Sequence, residues 1–287
     1  YHKKGFPHKS PNKSEYDIFI VIPCYNEFHF IFNTLESIDD QNINILNKCL
    51  VIIVVNNSLN ESEIVFKNNI KTFKKLIKVK YKFELIVIDC FSEKNSFNDK
   101  IKGVGTARKI GMDYVLNLAK NEKSIICSLD ADTTISKNYL SVIMSKFKKN
   151  NLNASVVNFK HNLTDNSLTN EAIIKYEKIL KKTAVSIKKT GSPYGYVSLG
   201  STIICNLKSY IACGGMSTRE ATEDFYFLQS LAKYTEIKSI SNILVYPSSR
   251  FENRVYLGTG FRIKEYCKHG KFNNLSFSKD SFNEIKI

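Results

Sequence analysis

The chain of 287 residues is 43% hydrophobic and 24% charged, an ordinary composition for a soluble globular protein large enough to hold an α/β core. No apolar run approaches the roughly 20 residues of a membrane-spanning helix, and residues 1–15 are too polar and basic for a signal peptide. The net charge of +15 favours an anionic partner, which could be nucleotide phosphate, an anionic membrane surface or nucleic acid. Because the lysines are spread along the chain, they indicate a solvated basic surface, and no nucleic-acid partner is expected.

Cysteine and histidine usage indicates the compartment. The seven cysteines form no CxxC pair, and the five histidines show no zinc spacing. We therefore expect a cytoplasmic protein with free thiols, in peripheral contact with the inner face of the cell membrane. The sequence starts at Tyr1 instead of a methionine, which leaves export open.

The first half of the chain alternates strand and helix patterns. Residues 1–15 predict a flexible basic arm. Apolar, β-branched runs at 18–22, 51–55, 85–88 and 125–129 predict strands that are buried on both faces. Apolar residues at helical spacing predict helices near 28–38 and 107–118. This alternation predicts a mainly parallel sheet with right-handed crossovers.

The second half is less regular. Strands are predicted at 155–159, 202–205 and 237–245. A long helix with Ile173, Tyr176, Leu180 and Ile187 on one face ends at the Gly-Ser-Pro of 191–193. The layout indicates a nucleotide-binding half followed by a half that supplies the other walls of a pocket.

Polar side chains follow each of the first four predicted strands. Ligands of open parallel sheets bind beyond the carboxyl ends of the strands, so these side chains are expected to line one crevice. In chain order they are Pro23, Tyr25, Asn26 and Glu27, then Asn56 and Asn57, then Asp89, and finally Asp130 and Asp132.

Asp130 and Asp132 present two carboxylates from one turn. Such a pair suits a hard cation such as Mg²⁺ or Mn²⁺, which often shares carboxylate ligands with substrate phosphates. The alternative is that both residues only cap the turn and a helix starting near Lys137. An isolated Asp-x-Asp does not decide between these two interpretations.

The motifs taken together resemble those of the family 2 glycosyltransferases of the GT-A fold. The similarity covers roughly residues 17–235 in the expected order. Its segments are the strand and turn at 21–27, the turn at 56–58 in place of the family's Asp-Asp-Gly-Ser, the helix start at 103–111, Asp130-Ala131-Asp132, Gly214-Gly215, and Thr222-Glu223-Asp224. The segments 191–194, 249–254 and 258–260 resemble bacterial members without membrane spans.

The resemblance implies a fold and an activity. The fold would be a mainly parallel central sheet flanked by helices, with a smaller second sheet on the acceptor side. Within a single domain, 16–135 would bind the nucleotide sugar, 136–248 the acceptor, and 249–287 would form a C-terminal loop or extension. The activity would be metal-dependent, inverting transfer of a sugar to a saccharide or lipid-linked acceptor of a cell-envelope glycan, with Mn²⁺ or Mg²⁺ as cofactor.

The same resemblance implies roles for the metal and the base. Asp132 would bind the metal, with Asp130 on the ribose or on a metal-bound water. Asp224 would be the general base, with Glu223 as the alternative, although acidic residues also suit a helix start on electrostatic grounds alone. Gly214 and Gly215 would lie on the acceptor side.

Basic residues would hold the donor's diphosphate. Arg108 opens a helix and, with the helix N-terminus and Lys102, would bind phosphate; the alternative is a solvated helix arginine. Arg250, Arg254 and Arg262 would close over the diphosphate, unless they form only a basic surface loop.

Asn57 or Asn56 would contact the nucleobase where relatives carry aspartate. An amide offers both an acceptor and a donor, which matches uracil better than guanine, so a UDP-sugar is favoured. Asp89 is the alternative base-binding residue.

Two other functions are compatible with part of the pattern. A nucleotidyltransferase also combines a parallel sheet with carboxylate-bound metal, but it needs a Gly-rich, lysine-bearing loop after the first strand, where this chain has residues 23–27. A degenerate module that only binds sugar or nucleic acid is disfavoured by the intact Asp130, Asp132 and Asp224.

Overall fold

The computed structural model describes residues 5–13, 15–98, 102–219, 221–250, 258–272, 275 and 277–286. Four strands form the first half of the central sheet: β2 (Ile18–Cys24), β3 (Cys49–Asn56), β4 (Glu84–Cys90) and β5 (Ile125–Ser128). They lie in the order β4-β3-β2-β5, and all three pairings are parallel. This confirms the predicted parallel core, whose strands have continuous apolar stretches and are therefore buried on both faces, with polar residues near their ends.

Helices cover both faces of this half. They are α1 (Ile31–Asp39), α2 (Ile43–Leu46), α3 (Glu63–Leu76) and α4 (Val104–Leu116). Alternate residues of β2 and β3 belong to two separate apolar clusters, one on each face of the sheet. The parallel strands therefore end at a common edge, where the loops that follow them meet.

The second half is mixed in strand direction. Its elements are β6 (Thr134–Ile135), α5 (Tyr139–Asn150), β7 (Ala154–Phe159), α6 (Ser167–Lys189), β8 (Ile203–Asn206), α7 (Leu207–Ala212), α8 (Glu223–Tyr234), β9 (Ile237–Tyr246), α9 (Thr259–His269) and α10 (Lys279–Glu284). β8 lies between β5 and β7 and is antiparallel to both. β9 is parallel to β7, and β6 is antiparallel to β9. The β6–β9 ladder is thus joined to the central sheet through β7, so the strands described form one continuous sheet where a smaller second sheet was expected on the acceptor side.

Part of the predicted arm lies along the sheet edge. β1 (Phe6–Pro7) pairs antiparallel with β4. The His8 amide donates to the Val87 carbonyl, and His8 Nδ1 accepts from the Val87 amide. Residues 6–8 therefore cover backbone groups that an edge strand would otherwise expose. The polar composition of this segment gave no indication of the pairing.

None of the helices described is both long and apolar enough to cross a membrane. The starts of α4, α8 and α9 and the loop after β9 converge on the carboxyl edge of β2–β5. The polar strand ends therefore face side chains from segments that are distant in the sequence.

Candidate active site

A cavity of about 1060 Å³ lies at the carboxyl edge of β2–β5. Most of the site residues expected from the sequence line it. They are Pro23, Tyr25, Glu27, Asn56, Asn57, Lys102, Arg108, Asp130, Asp132, Glu223, Asp224 and Arg250. Asn26, Asp89, Gly214 and Gly215 are not among its lining residues, and Arg254 lies outside the described part of the chain.

Arg108 connects two of the carboxylates. Its side chain is only 2% exposed, with one terminal nitrogen 2.8 Å from Asp130 Oδ1 and 3.5 Å from Glu223 Oε1. The other terminal nitrogen donates to the Ser128 hydroxyl. Burial alone lowers the pKa of Arg108, but the charges of Asp130 and Glu223 outweigh it and raise that pKa. Arg108 is therefore not the solvated helix arginine that was one of the two predictions. It is a buried cation whose guanidinium contacts and positions the side chains of Asp130 and Glu223.

The space around this guanidinium is closely filled. A Cβ atom added at Gly200 would lie 2.6 Å from the Arg108 terminal nitrogen. A larger residue at position 200 would therefore displace Arg108 from Asp130. Gly200 is a site residue that the sequence patterns did not indicate.

Glu223 and Asp224 begin α8 and both line the cavity. Thr222, before them, has a φ of 62°, which is unfavourable for a β-branched residue and turns the chain sharply into the helix. Burial raises the pKa of Glu223 to about 7; the charge of Arg108 opposes this shift and that of Asp224 adds to it. Burial likewise raises the pKa of Asp224, whose Oδ1 accepts from the Phe225 amide at 2.7 Å.

Arg250 connects a second pair of carboxylates. Its Nε lies 3.0 Å from Asp132 Oδ2, and a terminal nitrogen lies 2.5 Å from Glu27 Oε1. The guanidinium stacks 4.2 Å from the centre of the Phe30 ring, a favourable cation–π contact. Arg250 follows β9 and is 22% exposed, so it reaches the cavity from a loop.

The acidic residues after β5 fit a divalent metal. In the described ranges, no group of three or more His, Cys, Asp and Glu side chains is arranged to hold one. However, Mg²⁺ and Mn²⁺ are commonly bound by one or two carboxylates together with substrate phosphates and water. Asp130 and Asp132 supply oxygen ligands of this kind in the cavity wall. The protein would thus provide part of the coordination shell and the donor would complete it.

The two asparagines after β3 differ in what they can bind. The side-chain oxygen of Asn57 accepts from Asn69 at 2.8 Å, and its nitrogen donates to the Ser58 and Phe91 carbonyls at 2.9 and 3.2 Å. The buried side-chain oxygen of Asn56 has no hydrogen-bonding partner in the structure. Of the two asparagines predicted to contact the nucleobase, Asn56 is therefore the one whose side-chain oxygen can still accept a hydrogen bond.

Asp89 is used by its own turn. Its carboxylate accepts four hydrogen bonds, from the Phe91 and Ser92 amides, the Ser92 hydroxyl and the Asn95 side chain. Burial alone raises the pKa of Asp89, but these hydrogen bonds outweigh it and lower that pKa. Its place outside the cavity lining and its four local donors give no support to a base-binding role.

Three further residues expected at the site stabilise turns. The Asn26 amide donates to Asn69 Oδ1 at 3.0 Å, and Asn26 itself has a φ of 58°. Gly214 and Gly215 have φ values of 82° and 79°, a conformation that favours glycine. An added Cβ at Gly215 would lie 3.2 Å from the Tyr210 hydroxyl. The structure does not bring the glycine pair to the cavity as an acceptor-side wall.

Several residues that line the cavity were not predicted from the sequence. Glu61 accepts a hydrogen bond from the Tyr25 hydroxyl at 2.8 Å. His161, two residues after β7, is 2% exposed; its Nδ1 lies 2.8 Å from Glu177 Oε1, and its Nε2 has no hydrogen-bonding partner in the structure. His161 follows a strand that was predicted, so the rule applied to the first four strand ends would have found it.

Comparison with known proteins agrees with this geometry. The glycosyl transferase family 2 model matches residues 19–199. The chain belongs to this family. The match includes the polar ends of β2–β5 and Arg108 and ends before the start of α8. A search of curated proteins finds no match.

Solved structures share the fold at low sequence identity. This family 2 domain matches Staphylococcus aureus TarS 1–349 in complex with UDP-GlcNAc, with a TM-score of 0.56 and 14% identity, over 94% of this chain and 70% of that one. It also matches the mannosyltransferase PcManGT from Pyrobaculum calidifontis, in complex with GDP-Man and Mn²⁺. The TM-score is 0.51 and the identity 14%, over 87% of this chain and 62% of PcManGT. This chain spans 60% of the length of another TarS 1–349 structure. These similarities establish the GT-A fold.

Proposed function

We propose that the domain transfers a sugar from a nucleotide-sugar donor to an acceptor hydroxyl, with inversion at the anomeric carbon and a divalent metal at Asp132. One observation carries the proposal: a single cavity combines the carboxylates after β5, the carboxylates at the start of α8, and the cations Arg108, Arg250 and Lys102. Diphosphate binding needs positive charge, and deprotonation of an acceptor needs a nearby base. The cavity offers both.

At the donor end, Asp132 would hold the metal with Asp130 beside it. When bound, the metal neutralises the charge that grows on the nucleoside diphosphate as the sugar leaves. Arg108 keeps Asp130 in place through its 2.8 Å contact. Arg250 and Lys102 provide positive charge in the same wall, where they would orient the diphosphate.

At the acceptor end, Asp224 would accept the hydroxyl proton while that oxygen bonds to the anomeric carbon and the bond to the diphosphate breaks. Asp224 has greater exposure than Glu223, which is 5% exposed and lies 3.5 Å from Arg108. Because an acceptor hydroxyl must reach the base, the more exposed Asp224 is the favoured base and Glu223 the alternative. The raised pKa of Asp224 improves its match to a general base near neutral pH.

UDP is the nucleotide that we favour. The side-chain oxygen of Asn56 lies in the cavity wall without a partner, so it can accept the single N–H of uracil; guanine presents two donors on its corresponding edge. A TarS structure of the same fold contains UDP-GlcNAc, whereas the PcManGT structure contains GDP-Man. The saccharide or lipid-linked acceptor and the peripheral contact with an anionic membrane remain predictions from the sequence.

A panel of nucleotide sugars tests the proposal. The protein is incubated with UDP-Glc, UDP-Gal, UDP-GlcNAc or GDP-Man and Mn²⁺, with water as the acceptor, and nucleoside diphosphate release is measured. We expect release from at least one UDP-sugar, its loss with a chelator, and its loss in Asp132→Ala. UDP binding without release from any donor would favour a degenerate binding module, and release of pyrophosphate from a nucleoside triphosphate and a sugar phosphate would favour a nucleotidyltransferase.

A further inference from the structure

Arg250 forms an ion pair with Asp132, the carboxylate that is proposed to bind the metal. Its Nε contacts Asp132 Oδ2 at 3.0 Å while a terminal nitrogen contacts Glu27 Oε1. Glu27 is 6% exposed on its side chain and Asp132 is 21% exposed. One end of the guanidinium is therefore bound to a deeply buried acid and the other to an acid at the cavity surface.

A guanidinium at Asp132 opposes the binding of a bare metal ion. A divalent cation on this carboxylate would lie within a few ångströms of the guanidinium, where like charges repel strongly in a partly desolvated site. Arg250 Nε also lies 3.0 Å from an oxygen that the metal could use. A donor diphosphate changes the balance, because its negative oxygens can pair with Arg250 and complete the metal's coordination at the same time.

We propose that Arg250 is the resident counter-ion of Asp132 and exchanges this carboxylate for the donor's diphosphate when the metal binds. Its contact with Glu27 through a terminal nitrogen and its stacking on Phe30 need not break, because the exchange takes place on the Nε side of the guanidinium. The metal consequently binds weakly alone and tightly together with the nucleotide. This inference rests on the proposed metal role of Asp132.

Arg108 cannot make the same exchange. It is 2% exposed, holds Asp130 and Glu223 together, and has Gly200 packed against its terminal nitrogen. Releasing Asp130 would leave the guanidinium with Glu223 and Ser128 in a closed space. Of the two carboxylates after β5, Asp130 keeps its cation and Asp132 changes it.

The exchange predicts shifts of opposite sign in one variant. In Arg250→Gln, Mn²⁺ alone, measured by electron paramagnetic resonance of free Mn²⁺, should bind at least about tenfold tighter than in the wild type, because the repelling charge is gone. UDP at saturating Mn²⁺, measured by calorimetry, should bind at least about tenfold more weakly, because a charged phosphate contact is lost. Arg250→Lys, which keeps a cation for Glu27, should shift both constants in the same directions by less.

Arg219→Gln is the matched control. Arg219 is exposed and stacks 3.8 Å from the Tyr226 ring centre, as Arg250 stacks on Phe30, but it does not line the cavity. It loses the same charge, so both affinities should stay near those of the wild type. Equal shifts in Arg219→Gln and Arg250→Gln would indicate a general charge effect and overturn the exchange.

Asp132→Ala distinguishes a failure of the proposed metal site from a failure of the proposed counter-ion exchange. If this variant binds Mn²⁺ and UDP together as the wild type does, the metal is not at Asp132 and the proposed donor site fails. If Asp132→Ala loses metal-dependent binding but Arg250→Gln weakens Mn²⁺ or leaves it unchanged, the metal site stands and the counter-ion exchange is wrong. Melting temperatures of all variants identify any loss caused by unfolding.

Discussion

Two arginines organise the acidic cavity in different ways. Arg108 extends from α4, is 2% exposed, and connects Asp130 with Glu223. Arg250 extends from the loop after β9, is 22% exposed, and connects Asp132 with Glu27. Each cation therefore pairs with one carboxylate from the turn after β5 and with a second from another segment.

The difference lies in how easily each pair can change partner. A buried ion pair is costly to break, because a charge left alone in a desolvated site is poorly stabilised. A pair at the cavity surface is partly solvated and exchanges at lower cost. The Arg108 cluster thus suits fixed positioning of acidic groups near the reacting bond, whereas the Arg250 cluster suits binding and release of a charged donor.

The largest effect should come from breaking the fixed cluster. Arg108→Met leaves Asp130 and Glu223 without their shared cation and should lower the free energy of unfolding by about 3–5 kcal/mol. Chemical denaturation measures it. Arg250→Met also removes the cation beside the buried Glu27, but it should cost less because Arg250 itself is 22% exposed and its pairs are partly solvated. Equal losses in the two variants would show that the clusters do not differ in this way.

The next effect concerns the acids beside the fixed cluster. Asp224→Asn should lower turnover at least about a hundredfold, since general-base catalysis contributes about 10²–10⁴-fold. Donor affinity should change little, because the proposed metal and diphosphate contacts involve other residues. Nucleoside diphosphate release and calorimetry with UDP measure the two quantities.

Glu223→Gln is the companion variant for this test. If Asp224→Asn retains near-normal turnover and Glu223→Gln does not, then the base is Glu223. If Asp224 only complements the α8 dipole, its substitution should cost about 0.3–1 kcal/mol of stability and leave turnover nearly intact.

The last expected effect is a pH dependence within the fixed cluster. The pKa of Glu223 is raised from 4.5 to about 7 in the folded protein, so between these values the folded state keeps a proton that the unfolded chain loses. The stabilising contribution is thus full below pH 4.5 and is lost as the pH rises through about 7. We expect the melting temperature of the wild type to fall over this range relative to Glu223→Gln. Parallel profiles would contradict the shift.

The sequence predicts the first half of the fold well for a simple reason. Strands such as β2 and β3 are buried on both faces and are therefore continuously apolar, and their polar ends contrast sharply with them. The direction of β8 has no such signal. Its three apolar residues, 203–205, give the same pattern in either orientation, and only the pairing with β5 and β7 determines the direction.

Side-chain roles depend on partners that are remote in sequence. In the sequence, Arg108 has the pattern of an ordinary helix arginine, because its partners Ser128, Asp130 and Glu223 come close to it only in the folded chain. Asn57 reads as a ligand for the nucleobase until Asn69, from α3, takes up its side-chain oxygen. Residue type and strand position could identify candidates for the site, but not which of their polar atoms are already in use.

The position of β8 also bears on how the protein folds. β5 and β7 are both hydrogen-bonded to β8 and not to each other, although β7 and α6 precede β8 in the chain. On a ribosome, β7 must wait for Ile203–Asn206 before it can join the sheet, whereas β2, β3, β4 and β5 already have their partners. Contacts between segments far apart in sequence form slowly. We expect the parallel half to become protected first, leaving β7 exposed to proteases or chaperones until β8 is in place.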